Sequence, residues 1–215
     1  MSYLESLQRG ANYVTASLKV SWDKTFDYFS SDSEKGKISR MYPKDLITEY
    51  KTFFTEPTEI YPTLFPDANQ KNNVKIYLGS AINAANPDTL TDKKIKYIIN
   101  VSAEISDYDP QNYVYYRVPI RDNNKDSIKK YLDDCVAKIN EFIKNNNGNI
   151  LIHCYMGASR SVTVLAYYIS KQTNKSMSEI IAVMKDARKN INPTNQFIDD
   201  LESTKCINMD DLENI

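Results

Sequence analysis

The sequence predicts an α/β fold: a central, mostly parallel sheet flanked by helices, preceded by a mainly helical N-terminal extension. From about residue 72 onward, short apolar runs typical of buried strands alternate with longer segments whose apolar residues recur at helical spacing. Residues 1–70 lack this alternation. Their clearest pattern is a set of apolar residues three or four apart, on one face of a helix: Leu4, Leu7, Ala11, Val14, Leu18 and Trp22.

The rest of the extension predicts little regular structure. Residues 30–37 are polar and turn-like, which indicates a loop. Four prolines between residues 42 and 70 limit any helix there to a short one, and residues 44–54 are one candidate.

The first half of the main region predicts three strands and a long helix. The strands are residues 74–78, residues 95–101 with a continuous apolar run, and the Tyr- and Val-rich residues 113–120. The helix covers residues 127–144, where apolar residues recur on one face, and we expect Asp126 to cap its N-terminus.

The second half predicts one short strand and three helices. Residues 150–152 form an apolar central strand, and residues 161–171 form a helix without a breaker. Ser176 and Glu179 have the spacing of a capping box, which predicts a helix that runs to about Arg188. A last helix follows Pro193, over residues 195–204.

Composition excludes several classes of protein. The 215 residues are 41% apolar and 26% charged, which is enough for a packed core and argues against wholesale disorder. The net charge of −1 gives no sign of nucleic-acid binding. No apolar run is long enough to span a membrane, and the first ten residues lack the apolar stretch of a secretory signal. We therefore expect an intracellular protein.

The cysteines and the histidine imply neither a zinc site nor a disulfide framework. The chain has three cysteines, Cys135, Cys154 and Cys206, and a single histidine, His153. Their number and spacing match neither pattern. Cys135 falls on an apolar helical face, so core packing is favoured over a redox role for it.

The informative segment is the loop predicted between the strand 150–152 and the helix 161–171. A buried strand ends at Cys154, five residues follow, and Arg160 precedes the helix. Backbone N–H groups in such a loop, together with the positive end of the helix, bind anions, and Gly157 permits a tight turn. Arg160 can hold two phosphate oxygens at once. The same field would lower the pKa of the Cys154 thiol.

Residues 153–161, HCYMGASRS, resemble the His-Cys-x5-Arg-Ser/Thr signature of the cysteine-dependent protein phosphatases. Further segments are similar to the dual-specificity branch of that family: residues 77–86, 95–104, 118–123, 166–185 and 191–201. The resemblance covers roughly residues 72–205 and implies a protein-tyrosine-phosphatase-like fold. It divides the chain into an extension over 1–70, a catalytic domain over 71–208 and a tail over 209–215.

The resemblance implies a role for each matching residue. Cys154 would attack phosphorus, Arg160 would hold the phosphoryl oxygens, and Ser161 would help the thiolate to leave. Asp122 would protonate the leaving oxygen and then activate water. Weaker candidates for this acid are Asp107, Asp109 and Asp126. The loop residues around the phosphoryl group would be Tyr155, Met156, Gly157, Ala158, Ser159 and Arg160.

Residues beside this loop are candidates for structural support. His153 is either a general base or, as we favour, a structural residue that orients the loop. Thr194 stands where the family often has Asn, so the polar support from Asn192 and Thr194 is expected to be rearranged. A cationic cluster, Lys185, Arg188 and Lys189, either steers phosphorylated substrates or, more simply, forms a solvated helix end.

The loop has no Lys and no additional Arg between Cys154 and Arg160, which favours a phosphoprotein over an inositol phospholipid as substrate. The resemblance implies hydrolysis of phosphotyrosine and phosphoserine or phosphothreonine, with no metal and no cofactor. We expect a cytoplasmic location, in the host if the source is viral. Residues 4–22 either pack on their own domain or form a homodimer.

Two alternatives stay open at this point. One is a catalytically weak module that binds phosphoproteins without turnover, and the other is an RNA 5′-triphosphatase. The presence of a nucleophile, an acid and an arginine together favours the protein phosphatase.

Overall fold

The computed structural model describes residues 53–66, 73–123 and 125–205. The predicted helical face over residues 4–22, the polar loop over 30–37, Cys206 and the tail over 209–215 lie outside these ranges. Of the candidate helix over 44–54, only Phe53 and Phe54 are described, and both are helical.

The described residues form five strands and six helices of four residues or more. The strands are β1 (Thr58–Tyr61), β2 (Ile76–Gly79), β3 (Ile95–Asn100), β4 (Val114–Arg117) and β5 (Asn149–His153). The helices are α1 (Ala81–Ala84), α2 (Pro87–Asp92), α3 (Lys129–Asn145), α4 (Arg160–Gln172), α5 (Met177–Ala187) and α6 (Asn195–Lys205). None of these helices is long and apolar enough to cross a membrane.

The strands form one sheet in the order β1-β2-β5-β3-β4. All neighbouring pairs are parallel except β1 and β2, which are antiparallel. The sheet is therefore mostly parallel, as predicted. Gly79 and Asn100 lie beside His153 on either side, so the loops that follow β2, β3 and β5 open at one edge of the sheet. This is the edge where parallel α/β sheets place their ligands.

Both faces of the sheet are covered, which explains the continuous apolar runs of its strands. Along β5, Ile150 and Ile152 pack into the larger core with α3, α4, α5 and α6. Leu151 points the other way and packs with apolar residues of α1 and α2. The α/β fold with helices on both faces is thus as predicted.

Strand β1 joins residues of the predicted extension to the sheet. Thr58 lies beside Leu78, and Ile60 and Tyr61 are buried in the main core. The predicted boundary between residues 70 and 71 therefore separates two paired strands of one sheet. The periodicity could not reveal β1, because only four residues form it and prolines flank it on both sides.

The N-terminus of α3 is held by a residue that the sequence analysis did not consider. Asp126 was predicted to cap this helix, and this prediction is wrong. Asp200 of α6 accepts hydrogen bonds from the backbone N–H of Ile128, at 2.8 Å, and from the Ser127 hydroxyl. Asp126 instead accepts from the backbone N–H of Arg121 and from the Asn123 amide, within the loop that follows β4. By contrast, the capping box of Ser176 and Glu179 on α5 is confirmed.

Candidate active site

The loop between β5 and α4 surrounds the sulfur of Cys154. The Sγ atom accepts a hydrogen bond from the backbone N–H of Gly157 at 3.3 Å and from the Ser161 hydroxyl at 3.2 Å. Cys154 is 1% exposed, and its sulfur faces polar donors on a loop that borders a cavity. We call residues 154–160 the phosphate loop.

The surroundings of Cys154 favour its thiolate form. Burial alone would raise the pKa of this thiol. The positive charge of Arg160 and hydrogen bonds from Ser161 and Gly157 outweigh burial, so the pKa of Cys154 lies below its ordinary value. Cys135, on α3, shows the opposite case. It is buried in the hydrophobic core, and this burial together with the charge of Asp134 raises the pKa of its thiol to about 12.

The carbonyl groups of the phosphate loop are bound from outside the loop. In a planar trans peptide the N–H group points away from the carbonyl. Donors on the outside therefore turn the N–H groups of the next residues toward the inside, where an oxyanion could bind. The outer pairs are Ala81 N with Tyr155 O at 3.0 Å, Arg188 Nε with Gly157 O at 3.0 Å, and Asn192 N with Ala158 O at 2.8 Å.

Gly157 has the backbone conformation that the sequence analysis expected. Its φ is +69°, in the left-handed region. A Cβ atom at this position would lie 2.5 Å from the carbonyl carbon of Gly79 and 3.0 Å from the backbone N of Ser80. Only glycine therefore lets the phosphate loop pack against the end of β2.

Arg160 is held by a carboxylate that the sequence analysis missed. Its Nη1 and Nη2 atoms bind the two carboxylate oxygens of Glu104, at 2.8 and 2.6 Å, and Nη1 also donates to the carbonyl of Ile120 at 3.0 Å. Of the five N–H groups of the guanidinium, these bonds leave Nε–H and one Nη2–H. Those two lie on one edge of the fork, the arrangement that binds two oxygens of a phosphate.

Asp122 lies on the loop that follows β4, and its side chain is close to Arg160. One of its carboxylate oxygens is 3.7 Å from Nε of Arg160, and its side chain is 27% exposed. This carboxylate therefore borders the cavity, close to the phosphate loop. The three weaker candidates have other partners: Asp107 pairs with Arg117, Asp109 binds the Asn112 amide, and Asp126 organises its own loop.

His153 is buried beneath the phosphate loop. Its Nδ1 atom lies 3.3 Å from the carbonyl oxygen of Cys154, which can only accept a hydrogen bond. Burial lowers the pKa of His153 to about 4, so the ring is neutral near pH 7. A buried, neutral ring on the carbonyl side supports the structural role rather than that of a general base.

The segment before α6 supports the phosphate loop mainly through its backbone. The backbone N of Asn192 donates to the loop, and the backbone N of Thr194 lies 3.4 Å from the Ser159 hydroxyl. The Thr194 hydroxyl is buried and has no hydrogen-bond partner among the described residues. An asparagine side chain at this position would carry an amide donor and a carbonyl acceptor instead of a single hydroxyl.

The cationic cluster divides into two kinds of residue. Lys185 and Lys189 are exposed at the rim of the cavity. Arg188 is 2% exposed, so neither a solvated helix end nor a steering surface describes it. Burial lowers its pKa to about 10 against the opposing effect of the Cys154 thiolate, and the guanidinium therefore stays charged near pH 7. The three cations look alike in the sequence, because helical spacing does not show which residue turns inward.

The cavity above the sulfur has a volume of about 890 Å³. The side chains that the sequence analysis assigned to nucleophile, arginine and acid meet there. Its lining includes Cys154, Arg160, Asp122, Glu104, Tyr155 and Met156.

Comparisons with known proteins agree with this geometry. The family model for the dual specificity phosphatase catalytic domain matches residues 76–205. The Drosophila melanogaster protein phosphatase Slingshot is 32% identical over 178 residues, covering 82% of this chain and 17% of the relative. A probable rhodanese domain-containing dual specificity protein phosphatase from Dictyostelium discoideum is 36% identical over 127 residues, covering 59% and 26%. This chain thus spans about a quarter or less of the length of these two relatives.

The fold also matches solved structures. Human DUSP28 superposes with a TM-score of 0.59 at 21% identity, covering 69% of this chain and 92% of that one. A match at this level of identity supports the fold. Because the family model matches more than half of the chain, the protein belongs to the dual specificity phosphatase family.

Proposed function

We propose that this chain hydrolyses phosphate monoesters on tyrosine and on serine or threonine side chains of proteins, through a phosphocysteine intermediate. One observation carries the proposal. The sulfur of Cys154 is buried beneath a loop that stabilises its thiolate, and Arg160 and Asp122 border the same cavity. That combination suits a nucleophile, an oxyanion binding site and a proton donor at one reacting centre.

In the first step, the Cys154 thiolate forms a bond to phosphorus as the bond to the leaving oxygen breaks. The N–H groups of the phosphate loop and the free edge of Arg160 stabilise the charge on the three phosphoryl oxygens. Asp122 gives its proton to the leaving oxygen, so the side-chain hydroxyl of the substrate departs neutral.

In the second step, water replaces the sulfur. Asp122, now a carboxylate, takes a proton from the attacking water as the oxygen bonds to phosphorus. The S–P bond breaks, and its electron pair returns to Cys154. The Ser161 hydroxyl already donates to this sulfur at 3.2 Å, so it stabilises the thiolate as it leaves. Inorganic phosphate is the product.

Protein substrates fit the charge of the phosphate loop. Between Cys154 and Arg160 the loop supplies backbone N–H groups and no cationic side chain, which matches one phosphoryl group rather than a polyphosphorylated ring. Tyr155 and Met156 border the cavity beside the sulfur and offer apolar contact to the side chain that carries the phosphate.

The experiment is turnover of an aryl phosphate and of phosphotyrosine and phosphothreonine peptides. Cys154→Ser should abolish turnover but keep peptide binding, and Asp122→Ala should lower kcat by about 10²–10⁴. A wild-type chain that binds phosphopeptides without turnover would favour the binding module. Turnover confined to RNA 5′-triphosphate ends would favour the triphosphatase.

Three further expectations are proposals about the whole chain. We propose that it acts inside the cell, that the catalytic domain includes β1, and that residues 4–22 pack on this domain or form a homodimer. The double variant Leu7→Glu and Leu18→Glu should change solution mass or stability. If it changes neither, both packing roles fail.

A further inference from the structure

Arg188, which follows α5, lies behind the phosphate loop and joins it to the chain before β1. Its Nε atom donates to the carbonyl of Gly157 at 3.0 Å. Its Nη1 atom donates to the carbonyl of Glu56 at 2.9 Å and lies 3.3 Å from the Thr58 hydroxyl. One guanidinium thus links residues that are about 100 positions apart in sequence.

The same upstream segment reaches the phosphate loop at a second point. The ring of Phe53 packs against the ring of Tyr155, with centroids 5.1 Å apart, and Phe53 is 2% exposed. Its carbonyl accepts a hydrogen bond from the Ser80 hydroxyl at 2.6 Å. We call residues 53–58 the brace segment. It lies upstream of residue 76, where the match to the family model begins.

We propose that Arg188 and the brace segment position the phosphate loop for catalysis, so that the catalytic unit of this chain begins upstream of the matched family domain. The inference rests on the proposed phosphatase function. Holding the Gly157 carbonyl fixes the peptide unit whose N–H, on Ala158, turns toward the cavity. The N–H of Gly157 itself donates to the Cys154 sulfur. A shift at Gly157 would therefore disturb both the thiolate and the site of the phosphoryl oxygens.

The shape of the guanidinium explains why an arginine suits this position better than a lysine. Its planar fork holds donors in fixed directions, so it can set the distance between the carbonyls of Gly157 and Glu56. A lysine at this position would keep the charge, but its single ammonium could not reproduce the two directed bonds. Arg188 is therefore a positioning residue that acts through the loop, and its charge adds to that of Arg160 near the thiolate.

The test compares Arg188→Lys and Arg188→Ala with the wild-type chain, at a temperature where circular dichroism shows all of them folded. The measurements are kcat for an aryl phosphate and the pH dependence of Cys154 alkylation by iodoacetate. We expect kcat to fall at least tenfold in both variants and the alkylation midpoint to move to higher pH. Millimolar ethylguanidinium should restore part of the activity of Arg188→Ala.

Gly148→Ala is the control for lost stability, because it strains the backbone at the opposite edge of the sheet. The inference would be overturned if the folded Arg188 variants keep the wild-type kcat and the wild-type alkylation midpoint and, like the control, differ from wild type only in their unfolding. If neither variant folds, Phe53→Leu is the deciding variant. We expect it to lower kcat three- to tenfold, and a wild-type kcat would overturn the inference. A wild-type chain inactive toward aryl phosphate would instead overturn the proposed function.

Discussion

Replacing Gly157 by alanine should damage catalysis far more than folding. The new methyl group would lie 2.5 Å from the carbonyl carbon of Gly79, whereas ordinary contact begins at 3.4 Å. The phosphate loop would therefore have to move by about 0.9 Å, and misplacement of about 1 Å can cost about 10² in rate. The left-handed φ of +69° adds roughly 1–2 kcal/mol of strain.

Gly148→Ala separates these two effects. Gly148 also has a positive φ, +134°, and its added Cβ would lie 2.6 Å from Cβ of Lys96. It precedes β5, at the edge of the sheet away from the phosphate loop. Denaturant unfolding should show both variants destabilised, and aryl phosphate hydrolysis should show kcat/KM reduced about 100-fold in Gly157→Ala only. If kcat/KM of Gly157→Ala stays within threefold of wild type, the reasoning about the loop is refuted.

Three further variants probe other contacts. Ser161→Ala should slow the second step more than the first. We therefore expect kcat to fall about tenfold or more, kcat/KM to change little, and the burst of phosphoenzyme to grow. An unchanged burst would argue against the role of Ser161. His153 has a pKa of about 4 in the folded chain and near 6.5 in the unfolded chain. As the pH falls, the unfolded chain therefore takes up a proton before the folded chain does. The free energy of unfolding should fall by about 1 kcal/mol from pH 7.5 to 5.5. His153→Asn should remove that dependence, and a slope that persists would contradict it. Asp200→Asn should cost about 1–2 kcal/mol in denaturant unfolding, because the carboxylate binds the start of α3, and no change would contradict that contact.

The phosphate loop could be predicted from sequence because its parts are contiguous. Cys154, Gly157 and Arg160 lie within seven residues of one another, between a strand and a helix that their own periodicity reveals. Local geometry then determines most of the chemistry, since the loop's own N–H groups and the helix end act on the same sulfur.

Contacts between distant segments could not be predicted in the same way. Glu104 meets Arg160 across 56 residues, and Arg188 meets Gly157 across 31. The one signal for Glu104 was its place after β3, at the edge of the sheet where the loops open. Asp126 was mistaken for a cap because it precedes α3 directly, whereas Asp200 reaches the same N–H group from α6.

The central claim is that the phosphate loop keeps Cys154 ionised, and the most direct test is site-resolved alkylation of the native chain across pH. Mass spectrometry after iodoacetate treatment distinguishes Cys154 from Cys135, whose pKa of about 12 makes it an internal reference. Cys154 should react at a rate that already levels off below the pKa of a free thiol, about 8.5, while Cys135 stays unmodified. A Cys154 rate that keeps rising through pH 9, as for an ordinary thiol, would contradict the claim.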